Sequence, residues 1–132
     1  MKKYLSLLLL TLALSILGGC GGNDVNLDFT LAPSGEWTDG TYTKTVKGHK
    51  GDFDVTTTIE DGKIVNITVG DNKETKSRGG RAIEKLPPEM IETQGIDVDI
   101  VSGATRTSNA LRSGVGQALE EASQEALSKD GE

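Results

Sequence analysis

At 132 residues the chain is long enough for one domain. Its formal charge of −6, from 14 Lys and Arg against 20 Asp and Glu, argues against a nucleic-acid partner, whose phosphates demand the opposite sign. A single cysteine, Cys20, excludes an internal disulfide, a CxxC redox pair, an iron–sulfur cluster, a CxxCH haem site and a multi-cysteine zinc site, so any redox role falls most simply to an organic cofactor. The hydrophobic share of 35% is unevenly spread, because 12 of these residues stand in the first 19 positions. Beyond them the core is thin, and its aromatic residues are Phe29, Trp37, Tyr42 and Phe53. A domain of this kind is expected to draw part of its stability from a bound ligand.

The chain opens with Lys2 and Lys3 and then an uncharged, Leu-rich stretch from Tyr4 to Leu17. Its 14 residues fall short of the roughly 20 that a spanning helix needs, so residues 1–19 read as an export signal. Leu17-Gly18-Gly19-Cys20 resembles the bacterial lipobox. That resemblance implies cleavage before Cys20, a lipidated Cys20 held in the bilayer by its acyl chains, and a remaining chain of charge −8 once Lys2 and Lys3 are gone. Residues 20–38 read as a lipidated tether, most flexible from Gly21 to Glu36, with a reach of roughly 20 to 24 Å. Phe29, Leu31 and Trp37 can instead dock on the domain, and packing is the expected fate of Trp37.

The domain itself is expected over 39–128, with a frayed tail at 129–132. Thr41 to Val46 is β-branched and aromatic, and Asp52 to Glu60 alternates Phe53, Val55, Thr57 and Ile59 as a half-buried strand does. Asp61-Gly62 marks a hairpin turn. Lys63 to Val69 returns as its partner, with Ile64 beside the alternating Val65, Ile67 and Val69, so either both faces are covered near the turn or a bulge intervenes. Gly79 to Leu86 has helical spacing that Pro87-Pro88 should stop, and Glu89 to Gln94 can form a second short helix. A short extended piece is expected at Ile96 to Val101. A final helix follows, with Leu111, Val115, Ala118, Leu119, Ala122 and Ala126 on one face and Gly114 and Gly116 allowing close packing on the sheet. The fold class is α+β, a small antiparallel sheet with a central hairpin, packed by short helices and a C-terminal helix.

Between the extended piece and the last helix lies Asp99-Ile100-Val101-Ser102-Gly103-Ala104-Thr105-Arg106-Thr107-Ser108. Small and hydroxyl residues directly before a helix face unpaired amides and the positive end of its dipole, where a phosphate fits, and Arg106 can add a charge-assisted contact. An N-cap cluster built on Thr107 or Ser108 reads equally well from the same residues.

In the order Asp39-Gly40-Thr41-Tyr42, Gly48 to Gly51, Ile59 to Ile64, Lys73-Glu74-Thr75, Ile83 to Pro87, Met90-Ile91 with Gln94, and the Ser-Gly-Ala-Thr-Arg-Thr-Ser run, the chain resembles the FMN-binding domain family. Members occur in subunits of sodium-pumping NADH:quinone reductase, in Rnf complexes and in bacterial extracytoplasmic flavoproteins. The resemblance implies FMN as cofactor, joined through its phosphate to a threonine hydroxyl by a flavin transferase that uses FAD. The pattern Asp-x-x-Ser/Thr-Gly-Ala-Ser/Thr is met by Asp99, Ser102, Gly103, Ala104 and Thr105, which makes Thr105 the acceptor. Ser102 and Thr107 would donate hydrogen bonds to the phosphate, and Glu74 and Thr75 would lie nearer the flavin. Asn72 replaces a histidine common in relatives, and Lys76-Ser77 replaces Pro-Gly.

The function expected is that of a membrane-tethered extracytoplasmic electron carrier with no substrate conversion of its own, served by a flavin transferase and a membrane redox partner and anchored through Cys20. The alternatives are a reversible FMN sensor or scavenging lipoprotein, and a flavin-free ligand-binding lipoprotein. His49 reads as a solvated loop residue, Asp52 and Asp54 as exposed strand positions, and Glu120, Glu121 and Glu125 as the wet face of the last helix. Asn66-Ile67-Thr68 matches a glycosylation sequon by chance. No metal site is expected.

Overall fold

The structure, a computed structural model, describes residues 27–130, with side chains to 125. The stretch read as an export signal, Cys20, the chain up to 26, the Ala126 side chain and the last two residues lie outside that range. Three strands, β1 (Gly40–Lys47), β2 (Asp52–Glu60) and β3 (Lys63–Val69), form an antiparallel sheet in the order β1-β2-β3. Two helices, α1 (Gly79–Thr93) and α2 (Thr105–Asp130), pack against it. The fold is α+β, as the strand and helix periodicities predict.

The hairpin forms where its residues require it. Asp61 and Gly62 both take positive φ, 56° and 78°, the pairing that a primed turn needs. Pairing runs Thr58 with Asn66 and then Ile59 with Ile64, so Val65 is the extra residue of a bulge. The bulge resolves the crowded apolar set of β3: Ile64 and Ile67 face the core while Val65 is 45% exposed.

Helix α1 departs from expectation. It runs unbroken through Pro87 and Pro88, where a stop and a second short helix are predicted. Each proline removes one backbone bond, at a cost of about 3 kcal/mol in a helix interior. Against that, Ala82, Leu86 and Met90 fall on one stripe at spacing four and are fully buried, and burying a side chain such as Leu or Met stabilises by about 1.5 to 3 kcal/mol. Pro87 is itself buried in the same contact. The helix ends in a Schellman motif, with Gln94 left-handed and the Gly95 N–H donating to the Met90 carbonyl at 3.1 Å. The Gln94 side chain then pairs with β3 as another strand would, accepting from the Ile64 N–H at 2.8 Å and donating to the Ile64 carbonyl at 2.9 Å.

Helix α2 lies across the inner face of the sheet through Leu111, Val115, Ala118, Leu119 and Ala122, all fully buried. Gly114 permits the approach, because a Cβ there would stand 3.0 Å from Val55. Gly116 serves a different neighbour, the ring of Phe29. Of the two readings open for this segment, a tether or docking through Phe29, Leu31 and Trp37, docking holds from Phe29 onward. Ala32 N–H donates to Ser123 Oγ at 2.7 Å, Trp37 Nε1–H donates to the Ala32 carbonyl at 2.8 Å, and Thr38 N–H donates to the Ala122 carbonyl at 3.2 Å. Burying Trp37 and part of Leu31 recovers apolar area that the thin core otherwise lacks. Residues 96–101 are irregular rather than a strand.

Among the described residues the core holds one side-chain polar atom without a hydrogen-bond partner, Thr57 Oγ1 on the inner face of β2. Replacing that hydroxyl with a methyl removes an unmet desolvation cost at nearly constant shape. Thr57→Val is expected to stabilise the domain by about 1 kcal/mol, read as a higher urea midpoint at unchanged slope.

Candidate functional site

Three connections meet at one end of the sheet: the β1–β2 turn, the loop from Gly70 into α1, and the turn that opens α2. They enclose a cavity of about 600 Å³, within the range of small-molecule sites. Gly103 has φ +82°, and the Ala104 N–H donates to the Val101 carbonyl at 2.9 Å. This tight turn of the type-II kind directs the chain into α2 with Thr105 as its first residue. Thr105 is exposed and lines the cavity. The N–H groups of a helix's first turn have no intrahelical carbonyl to bond, so this wall is electropositive.

Glu74 organises the site, a role that its sequence context does not suggest. It is 8% exposed. Its Oε1 accepts from the Thr107 hydroxyl and from the His49 N–H at 3.2 Å, and its Oε2 accepts from the Lys50 N–H at 2.8 Å. One carboxylate therefore ties the β1–β2 turn, the Gly70–Gly79 loop and the first turn of α2. Its own backbone is set by Asn72, whose Oδ1 accepts from the Glu74 N–H at 3.1 Å. Burial would raise the Glu74 carboxyl, but the Thr107 hydroxyl, the two N–H donors and the nearby His49 charge outweigh it and hold the group below its ordinary value.

Two glycines make room for this arrangement. A Cβ on Gly48 would stand 2.6 Å from the Phe53 ring and 3.0 Å from Glu74 Oε2, and one on Gly79 would stand 2.7 Å from Thr107 Oγ1 and 2.8 Å from Glu74 Oε1. Gly79→Ala should thus part Glu74 from Thr107. The helix-propensity gain is at most about 1 kcal/mol and overpacking costs about 1 to 3 kcal/mol, so the expected net effect in chemical denaturation is destabilising.

The cavity gathers Glu74, Thr75, Gly103, Ala104, Thr105 and Thr107 from the predicted set. Asp99 and Ser102 are exposed outside it. Thr107 is 1% exposed and gives its proton to Glu74, so its hydroxyl is not a donor into the cavity. Neither Thr107 nor Ser108 caps α2, which begins before both; Ser108 Oγ instead accepts from the Val101 N–H at 2.9 Å. His49, Lys50, Ser77, Arg78, Gly79 and Arg106 complete the lining. His49 is exposed, as a solvated histidine would be, yet it stands at the cavity. No local pattern marks Lys50 or Arg78, since only the fold brings their loops together. Lys50, Arg78 and Arg106 give the cavity three cations, and its one carboxylate is Glu74, already bonded internally.

A family model described as FMN-binding domain matches residues 48–120, a span that holds the sheet's central hairpin, all of α1, the start of α2 and every wall of the cavity. The chain is 37% identical over 81 residues to an NADH:acrylate oxidoreductase of Vibrio harveyi, a match covering 61% of this chain and 8% of that protein. It is 33% identical over 86 residues to an uncharacterized protein of Treponema pallidum (strain Nichols), covering 65% of this chain and 24% of that one. The match therefore spans less than a quarter of the length of either relative.

Proposed function

The chain belongs to the FMN-binding domain family and its cofactor is FMN, and we propose that it is an electron carrier in which FMN is joined through its phosphate to the Thr105 hydroxyl. One observation carries this reading: Thr105 presents an exposed side chain on the first residue of a long helix, inside a cavity lined by Lys50, Arg78 and Arg106. The residues suit the group. The helix start and the three cations match a phosphate, and a volume of about 600 Å³ with the Thr75 and Ser77 hydroxyls on its wall leaves space for a ring system beside it.

Attachment requires a second protein, a flavin transferase. The Thr105 oxygen would bond to the flavin-side phosphorus of FAD, the pyrophosphate bond would break, AMP would leave, and the hydroxyl proton would pass to a base on the transferase. Exposed Gly103 beside the acceptor leaves an approach free of bulky side chains, and Asp99 and Ser102, outside the cavity, remain accessible to the transferase when the cavity is filled. Bound FMN supplies one- and two-electron redox chemistry. The protein's own part is to hold the phosphate at Thr105, with Glu74 keeping the three walls in register.

We place the domain on the extracytoplasmic face, anchored by an acylated Cys20 and exchanging electrons with a membrane redox protein. Support comes from the lipobox-like Leu17-Gly18-Gly19-Cys20 and from the name of the Vibrio harveyi relative, an oxidoreductase. The test is mass spectrometry of protein from its native host. The peptide containing Thr105 should be heavier by FMN less one water. Yellow colour released by denaturation with Thr105 unmodified would make the protein a reversible FMN binder instead.

A further inference from the structure

The formal charge of −6 is unevenly distributed over the described residues. The two ends of the sheet differ. At the end away from the cavity, the hairpin turn meets the preceding segment, where the Gly35 N–H donates to the Gly62 carbonyl and the Gly62 N–H donates to Asp39 Oδ1. The last turn of α1 and the Ala122 turn of α2 reach the same end through Gln94 and Thr38. Exposed there are Glu36, Asp39, Glu60, Asp61, Glu92 and Glu121, against the cations Lys63, opposite Glu60, and Lys44, which pairs with Glu121 at 2.6 Å, so the acids remain in excess. Tyr42 senses this field, its hydroxyl driven above the usual value by burial and then by Glu125, Glu121 and Asp39.

The mouth of the cavity has the opposite sign. Lys50, Arg78 and Arg106 line the opening, and no exposed carboxylate does. Lys76 and Arg81 are exposed outside the lining, and Lys76 Cβ is 3.8 Å from where a Cβ on Gly80 would stand. The first turns of both helices, the positive ends of their dipoles, point to this end as well. Asp52, Asp54 and Asp71 sit to one side, in a separate shallow groove, where Asp52 pairs across the strands with Lys47.

The cations exceed what the cofactor uses. A phosphate esterified at both sides keeps one negative charge, whereas the opening and its margin carry five basic side chains, the three in the cavity with Lys76 and Arg81. On a chain of net negative charge, such a surplus turns an approaching anion toward one face only. We propose that this basic rim is the docking surface for an acidic redox protein, which exchanges electrons with the flavin through the cavity mouth. The inference rests on the electron-carrier reading. A compact partner can touch the rim alone, while an extended anionic bilayer would also meet Asp52, Asp54 and Asp71, which favours a protein.

The test uses two probes on the full-length protein and on the double variant Lys76→Glu/Arg81→Glu, neither residue lining the cavity. First, photoreduced holoprotein is reoxidised by ferricyanide, two ions each taking one electron per reduced FMN, with the protons released to solvent. The rate should fall roughly tenfold as salt rises from about 0.01 to 1 M, where screening shortens from about 30 to 3 Å. The variant should lose that dependence, and the cationic oxidant tris(phenanthroline)cobalt(III) should not show it. A ferricyanide rate that rises with salt, as net charge alone dictates, overturns the proposal. Second, retention on a sulfonate matrix at pH 7 is measured with flavin-free protein; the wild type should be held and the variant should not. Equal elution overturns the proposal as well. Because this second reading needs no flavin, an unmodified, colourless chain that is still retained would sink the FMN attachment and leave the basic rim standing. Salt-sensitive binding of a Cys20→Ser chain to phosphatidylglycerol vesicles, lost in the double variant while ferricyanide rates stay unchanged, would assign the rim to a membrane and overturn the protein partner.

Discussion

Thr105→Ala should yield a protein with no flavin left after denaturation, and Thr105→Ser should restore it. Only the hydroxyl oxygen can carry the phosphoester, and serine supplies that oxygen at the same first position of α2. The alanine variant keeps Lys50, Arg78, Arg106 and the helix start, so reversible FMN uptake should persist and separate the bond from the cavity. Losing the bond also costs stability. A ligand at a hundred times its Kd stabilises by about 2.7 kcal/mol, and a phosphate charge at a helix N-terminus contributes about 0.3 to 1 kcal/mol of its own. Flavin-loaded wild type should therefore unfold at higher urea than Thr105→Ala without added FMN, and saturating FMN should close most of the gap. Covalent flavin retained in Thr105→Ala would move the acceptor to another hydroxyl, Ser102 being one close by in sequence.

The range of each interaction decides whether it is legible in the chain. Strands β2 and β3 and their turn are local features, set by alternation and by Asp61-Gly62, and they stand where the periodicity puts them. The place of Thr105 on the cavity wall is legible because the Ser102 to Ser108 run that leads into α2 is contiguous. The continuity of α1 is not, because two prolines are a strong local signal against it, and the opposing effect, burial of Leu86, Pro87 and Met90, exists only after the chain has folded. The docking of the Phe29 to Thr38 segment is legible only as an alternative carried by Phe29, Leu31 and Trp37, since its partners, Gly116, Ala122 and Ser123, lie far along the chain on α2. Lys50 and Arg78 join the cavity through contacts that no spacing rule encodes. Glu74 is legible as a residue of the site but not as the tie between its loops. Its role as a tie depends on the Thr107 hydroxyl and the His49 and Lys50 N–H groups, which only the fold brings to it.

Glu74→Ala should be the most destabilising single change at the cavity. It removes the acceptor of three donors, the Thr107 hydroxyl and the His49 and Lys50 N–H groups. Hydrogen bonds to a charged group are worth about 1.5 to 3 kcal/mol each, and water entering from the open cavity can satisfy part of what is lost, so a net loss of about 2 to 3 kcal/mol is expected. Glu74→Gln keeps the shape and one acceptor oxygen but presents an NH2 where a second acceptor is needed, and should lose about 1 to 2 kcal/mol. The pH dependence distinguishes charge from shape. A carboxyl held below its ordinary value in the fold stabilises fully above that value, 4.5, and the contribution disappears as pH falls through the lower folded value. The stability difference between wild type and Glu74→Gln should therefore be constant from about pH 6 to 8 and shrink below about pH 4.5, because protonated Glu74 and glutamine are then nearly equivalent. Urea unfolding followed by the fluorescence of buried Trp37, the one tryptophan, measures it. A difference that persists unchanged at pH 3 would show that Glu74 acts through packing, and the three cavity walls would then be held by Gly48, Gly79 and their close contacts instead of by the carboxylate charge.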